Sequence, residues 1–239
     1  MNLILKWLLL FFVSVAPVIV KAQMFSIPDK EERISKPSTI IRVGTSITDF
    51  KYKGKEEDTD QRLLELDNAI FVVMIETFGL TANAKIGNSI TGLDNGSFLD
   101  LNLRFTNDFN LIKTKKLQAG IPIQLSSGLT TSNSDFTRNR FNQTHFAGGT
   151  GLFFNINPSK KLEIHNHGIY GYGFSNSNGG FFGGTLNYLD VGTKINVLNV
   201  IGERTLSIAY AYILRSYDID KEIYDYDLTG HQITVGISF

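Results

Sequence analysis

The stretch HQITVGISF, residues 231–239, alternates without a break. Ile233, Val235, Ile237 and Phe239 share one side-chain parity, while Gln232, Thr234, Gly236 and Ser238 take the other. A period of two is that of a strand with two unlike faces. A frayed tail in water gains nothing from keeping that pattern to its final residue. Two settings account for it: a strand held in a soluble sandwich, or the closing strand of a barrel whose outer face meets lipid.

The same period recurs upstream. SFLDLNLRFT, KLQAGIPIQL, LEIHNHGIYGYGF, YLDVGTKINV and TLSIAYAYIL each carry apolar residues at every second position, separated by clusters of Asn, Gly, Asp, Ser and Lys. Leu99, Leu101, Leu103 and Phe105 lie on one face, as do Leu206, Ile208, Tyr210, Tyr212 and Leu214. Soluble antiparallel sheets show this alternation too. Connection lengths discriminate better. Backwards from the end they alternate between long (SYDIDKEIYDYDLTG, SNSNGGFF, SSGLTTSNSDFTRNR) and tight (LNVIGER, NPSKK, NLIKTKK). Long loops at one end and short turns at the other are what outer-membrane barrels have.

Strand count tests that idea. With the run from Leu64 to Ile86 taken as one strand the chain has nine, yet bacterial single-chain barrels have an even number. Dividing the run at Thr77-Phe78-Gly79 gives ten, and Gly79 supplies a turn residue tolerant of positive φ. The expected fold is therefore all-β, a closed antiparallel transmembrane barrel of ten strands over residues 39–239, with eight strands plus an N-terminal extension as the alternative. Gly148, Gly149, Gly151, Gly168, Gly171 and Gly173 are expected to relieve crowding in a curved wall. Tyr170, Tyr172, Phe174, Tyr210 and Tyr212 are expected on the lipid-facing side.

At the other end, Lys6, an apolar run from Trp7 to Val20 and a small-residue junction after Ala22 read as a cleaved signal peptide over residues 1–22. A retained anchor is the alternative, because a spanning helix needs about 20 apolar residues. Residues 23–38 are charged without periodicity and read as a flexible lead-in. Across the chain 23 basic residues balance 23 acidic ones, which argues against nucleic acid as a partner. With no cysteine there is no disulfide framework and no thiolate site.

The signal peptide, alternating connections, glycine-rich strands and terminal GISF resemble the outer-membrane β-barrel proteins of Gram-negative bacteria. The Ala22-Gln23 junction and Asn-rich loops are similar to small barrels of the Bacteroidota. In that family a terminal signal ends in an aromatic preceded by apolar residues at alternate positions. Ile233, Val235, Ile237 and Phe239 match it, which implies recognition by the barrel-assembly machinery. The resemblance also implies outer-membrane lipid as the surroundings, several membrane crossings, and both termini on the periplasmic side. An extracellular or envelope partner is not identified by any motif.

Candidate site residues are those expected to face the lumen. Arg42, Glu65, Asp67, Lys85, Asp100 and Arg104 form the first part of that set. Glu163, His165, His167, Asp190 and Lys194 form the second. Both signs occur, as buried charges require. Such a network plugs the lumen or lines a narrow conduit. Glu163, His165 and His167 share a parity, but alternate residues recur only every ~7 Å, so one strand makes a stretched metal site and no metal or cofactor is expected. Ser175 and Ser207 with His165 and Glu163 offer the parts of a hydrolytic set, without a nucleophile elbow, P-loop or HExxH motif. GKEEDTD lacks the spacing of a calcium loop. The leading expectation is a non-enzymatic barrel with a structural, adhesive or envelope-interaction role. Behind it stand a narrow pore or lipid-handling transporter, a hydrolase, and a secreted soluble all-β protein.

Overall fold

The computed structural model describes residues 39–52, 64–88, 96–134, 140–176, 183–219 and 226–239. The signal peptide and lead-in expected over 1–38, and the acidic GKEEDTD segment, lie outside the described residues. Ten strands follow in order: β1 (Ile40–Tyr52), β2 (Leu64–Thr77), β3 (Leu80–Gly87), β4 (Gly96–Lys113), β5 (Leu117–Ser134), β6 (Arg140–Ser159), β7 (Leu162–Asn176), β8 (Gly184–Ile201), β9 (Arg204–Asp218) and β10 (Tyr226–Ser238). Each pairs antiparallel with its sequence neighbours, and β1 pairs with β10 to close the barrel.

The division at residues 77–79 is where the ten-strand reading placed it. Phe78 and Gly79 have φ of 44° and 78°, the two positive values that a type I′ hairpin needs, and Thr77 pairs with Leu80 across them. The Gly79 carbonyl accepts the Thr106 amide at 2.7 Å. A Cβ on Gly79 would overlap the Thr106 carbonyl, so glycine is required by space as well as by φ. At the β8–β9 turn Gly202 has φ 65° in the first central position, as a II′ turn requires.

Register sets the shape of the wall. Following paired residues from Val43 through Val73, Ala84, Leu101 and Leu129 leads to Thr144 of β6. The opposite way round, through Val235, Ile208, Ile195 and Ile164, leads to Ile156 of the same strand. The two routes end 12 residues apart, at positions 144 and 156. That stagger tilts the strands and fixes which side chains share a level inside.

The tight turns at 78–79, 114–116, 160–161 and 202–203 lie at one end of the barrel with the start of β1 and the end of β10, and the strand ends that flank 53–63, 89–95, 135–139, 177–182 and 220–225 lie at the other. Several strands outrun the ten-residue segments expected from periodicity. β5 continues to Ser134 and β9 to Asp218. In these extensions the outer face turns polar, with Thr131, Asn133, Ser216 and Asp218, so hydrophobic alternation fades while the backbone ladder continues. Around the waist the outer face is apolar: Val43 is 49% exposed, and Ile47, Leu103, Ile123, Ile208 and Val235 are exposed with it. A band of this extent has no place in water. Tyr170, Tyr172, Phe174 and Tyr210 are exposed on the same face.

Two of the six glycines do not relieve crowding. Gly168 has open space where its Cβ would stand and Gly148 has only ordinary contacts, because both lie on the outward parity. Gly149 and Gly171 do: a Cβ on either would overlap the Tyr188 side chain, which crosses this pair of neighbouring inward positions. The His145 ring lies against Gly128, and that of His167 against Gly192, in the same manner.

Candidate functional site

The inward parity brings side chains from distant strands into contact in four tiers. At the loop end the tier is aromatic. Phe50 of β1 and Phe141 of β6 sit on strands five places apart in a ring of ten, yet their ring centroids are 4.9 Å apart. Tyr226 meets both edge-on, at 5.3 Å and 4.7 Å, and stacks on Tyr217 at 4.4 Å. Edge-to-face and offset pairs at these distances are favourable beyond their burial alone. All four rings are buried.

Beneath it, Asp100 Oδ1 accepts from Arg215 Nη1 at 2.7 Å and from Thr130 Oγ1 at 2.8 Å. His145 bridges Asn102, at 3.1 Å from Nε2, and the Tyr217 hydroxyl, at 3.2 Å from Nδ1. In the third tier Arg104 forms an ion pair with Asp190, whose second oxygen lies 3.3 Å from His167 Nε2. At the turn end Glu76 accepts from Arg42 Nη1 at 2.6 Å and from Lys194 Nζ at 2.5 Å, joining β1, β2 and β8. This tier is the most open, with Glu76 26% exposed.

Three of these contacts cross the axis, Asp100–Arg215, Arg104–Asp190 and Glu76–Lys194, while Arg42–Glu76, Thr130–Asp100 and His167–Asp190 join neighbouring strands. Arg42, Lys85, Arg104, Lys194 and Arg215 supply five inward positive charges, and Glu76, Asp100, Asp108, Glu163 and Asp190 supply five negative ones among the described residues. A charge removed from water without a partner is costly, so near-complete pairing is the physical requirement for filling a lumen with them.

Most candidate residues come together inside: Arg42, Lys85, Asp100, Arg104, Asp190 and Lys194, with His165 and His167 toward the turn end. Glu163 shares their parity and is half-buried, with no ion pair among the described residues. Asp67 is a correction. It is exposed on the outward parity of β2, opposite Asp49. Glu65 pairs with Lys51 in register, and its side chain lies outside the described residues. β2 is apolar on both parities, with Leu66, Ile70, Val72 and Met74 inside and Phe71, Val73 and Ile75 outside, so alternation did not mark its inner face.

The sequence reading did not select Glu76, Arg215, His145 or the aromatic tier. Glu76 borders the turn at residues 77–79 and continues the inward parity of Val72 and Met74. Arg215 follows Leu214, where periodicity ended, and is one step from the inward Ile213 and Tyr217 on the same parity.

The hydrolytic set is not assembled. Ser207 Oγ accepts from Arg42 Nε at 3.2 Å, and Ser175 donates to the Thr185 carbonyl at 3.4 Å. Ser175 and His165 lie ten residues apart on β7, about 33 Å along an extended strand. His165 bonds Asn155 while His167 bonds Asp190, so the two imidazoles face different partners although their rings are 5.6 Å apart. Among the described residues no group of three such side chains is placed to hold a metal ion.

Closure without a free sheet edge, an apolar outer band and a polar interior occur together only where a sheet must satisfy its backbone in lipid. This is a ten-stranded transmembrane-type β-barrel. No family model matches the chain, and no curated protein matches it. Among solved structures the barrel is similar to the outer membrane protease OmpT from Escherichia coli, at 11% identity, a TM-score of 0.38, and coverage of 88% of this chain and 100% of that one. So distant a likeness carries no argument about activity.

Proposed function

We propose that this barrel resides in the outer membrane of a Gram-negative bacterium, turns toward the periplasm, and serves a structural, adhesive or envelope-interaction role without turnover chemistry. The observation that carries the reading is the contact of Phe50 with Phe141 across the axis, above three tiers of paired charge. Side chains that meet across the lumen at four levels support a filled bore over an open one. What the protein offers its surroundings is then its outer wall, to lipid, and its longer connections, to a partner on the far side. The terminal Ile233, Val235, Ile237 and Phe239 lie along β10 and its end, with Ile233, Val235 and Phe239 exposed where assembly machinery would read them.

A second reading, a narrow pore or lipid-handling conduit, draws support from the turn end, where Glu76, Lys194, Arg104 and His167 keep partial exposure. Planar bilayers separate the two. Purified protein is expected to give little steady conductance, and a reproducible ion-selective conductance from the unmodified chain would replace the first reading with the second. Membrane residence is checked separately: the protein should stay with outer-membrane fractions through carbonate and high-salt washes.

A further inference from the structure

Three of the tight turns share one sign of charge. Lys115 and Lys116 stand in the β4–β5 turn, Lys160 and Lys161 form the β6–β7 turn, and Arg204 follows the β8–β9 turn. All five are exposed, and Glu203 is the one acid in these turns. None of the four lysines has an ion pair among the described residues. The β2–β3 turn, Phe78 and Gly79, carries no charge. At the opposite end the outward charged side chains that are described are aspartates: Asp49, Asp67, Asp218 and Asp227. The balance of 23 charges of each sign over the whole chain conceals a basic end.

The backbone holds these turns side by side. The Asn157 amide donates to the Lys116 carbonyl and the Leu198 amide to the Lys161 carbonyl, each at 2.8 Å. Each of those turns is thus tied to the next hairpin, and successive turns stand about 10 Å apart, two strand spacings. Within the first, the Thr114 amide donates to the Leu117 carbonyl at 2.8 Å, and the Leu117 amide to Thr114 Oγ1 at 3.0 Å. Like charges fixed in a row repel one another, and an anionic surface relieves that repulsion. The wall beside the turns decides which surface. Leu111 is 70% exposed four residues before Lys115, and Ile156 and Val200 are exposed at the same spacing before Lys160 and Arg204. Apolar surface therefore runs right up to the charges. A lysine placed so lays its aliphatic stem on that surface and carries its ammonium to headgroup level. We propose that the three turns form a headgroup site for anionic phospholipid. Lys115, Lys116, Lys160, Lys161 and Arg204 meet the phosphodiester charges of the leaflet at the turn end. The site rests on the membrane residence proposed above and is independent of whether the lumen conducts.

The test uses the full mature chain folded into phosphatidylcholine vesicles that carry a trace of spin-labelled phosphatidylglycerol or spin-labelled phosphatidylcholine. Electron spin resonance reads the fraction of each label immobilised at the barrel. At low salt phosphatidylglycerol should be preferred by roughly two- to fivefold, the upper figure being one lysine's attraction to an anionic surface. The preference should fall toward one at about 1 M salt, where screening acts within ~3 Å. Combining Lys115→Gln, Lys116→Gln, Lys160→Gln and Lys161→Gln should remove it, and replacing either pair alone should remove part of it. The shift between folded and unfolded mobility on gels confirms folding of each variant. Equal immobilisation of the two labels around the unmodified barrel overturns the proposal alone, as does a preference that survives in the combined variant. If the unmodified barrel shows no lipid preference and instead sediments with peptidoglycan through the same lysines, the row belongs to a carboxylate polymer and the proposal falls. Failure to enter phosphatidylcholine vesicles at all would sink the membrane reading and the proposal with it.

Discussion

Asp100 and Arg215 sit on β4 and β9, strands five places apart in a ring of ten, and their side chains still meet at 2.7 Å. Removing one partner strands the other: Arg215→Met should lower the unfolding free energy by about 3–5 kcal/mol. Replacing both residues with apolar ones of similar volume should recover most of the loss. Unfolding in urea, followed by the shift between folded and unfolded mobility on gels, measures both.

The third tier separates two residues that share a face. Arg104 pairs with Asp190 across the lumen, whereas Glu163 stands at the turn end without an ion pair among the described residues. Arg104→Ala should introduce brief channel openings in planar bilayers, and Glu163→Ala should not. Equal effects from the two would mean that the plug is not organised by these cross-lumen pairs.

The difference between those two residues shows how far the sequence was legible. Parity is a local property, so Arg104, Glu163 and Lys194 could all be assigned to the interior from alternation alone. Partnership is not local. It depends on a stagger of 12 residues accumulated around ten strand pairs, and no spacing in the chain announces it. The strand count was readable because a barrel of this kind needs an even number of strands and residues 77–79 hold a turn signal inside an over-long run. The inner face of β2 was not, because apolar residues occupy both of its sides. The aromatic tier was hidden for a third reason. Phe50, Phe141 and Tyr226 lie in or beside stretches that read as polar loops, and only the strand ladder shows that they turn inward.

Gly79→Ala should lower stability by roughly 1–3 kcal/mol, the usual cost of a residue forced to hold a left-handed conformation. The overlap with the Thr106 carbonyl adds to that. Gly168→Ala, on the outer face with open space around it, is the matched control and should be close to neutral. Thermal midpoints of the two variants decide the point.

Phe239 makes two contacts that a variant can separate. Its amide donates to the Thr39 carbonyl at 2.8 Å, and its ring lies 5.3 Å below the Arg204 guanidinium while remaining 65% exposed. If the ring serves as an assembly signal, Phe239→Ala should reduce the amount of folded protein reaching the membrane far more than it reduces stability. Arg204→Ala should cost only the exposed cation–π contact, about 0.5–1 kcal/mol, and leave abundance unchanged. Equal abundance for both variants would remove the signal role.

Phe50 and Tyr226 belong to β1 and β10, the two strands whose pairing turns an open sheet into a cylinder. Their partner Phe141 stands on the opposite wall. The stopper and the seam are therefore one event: until the first and last strands join, the rings have nothing to meet, and any opening of that junction pulls the stopper apart. A molecule built this way does not pass through a stage that is a finished tube with an open bore. Leakage during its insertion would report an unzipped wall, and the end of leakage would time the final stitch.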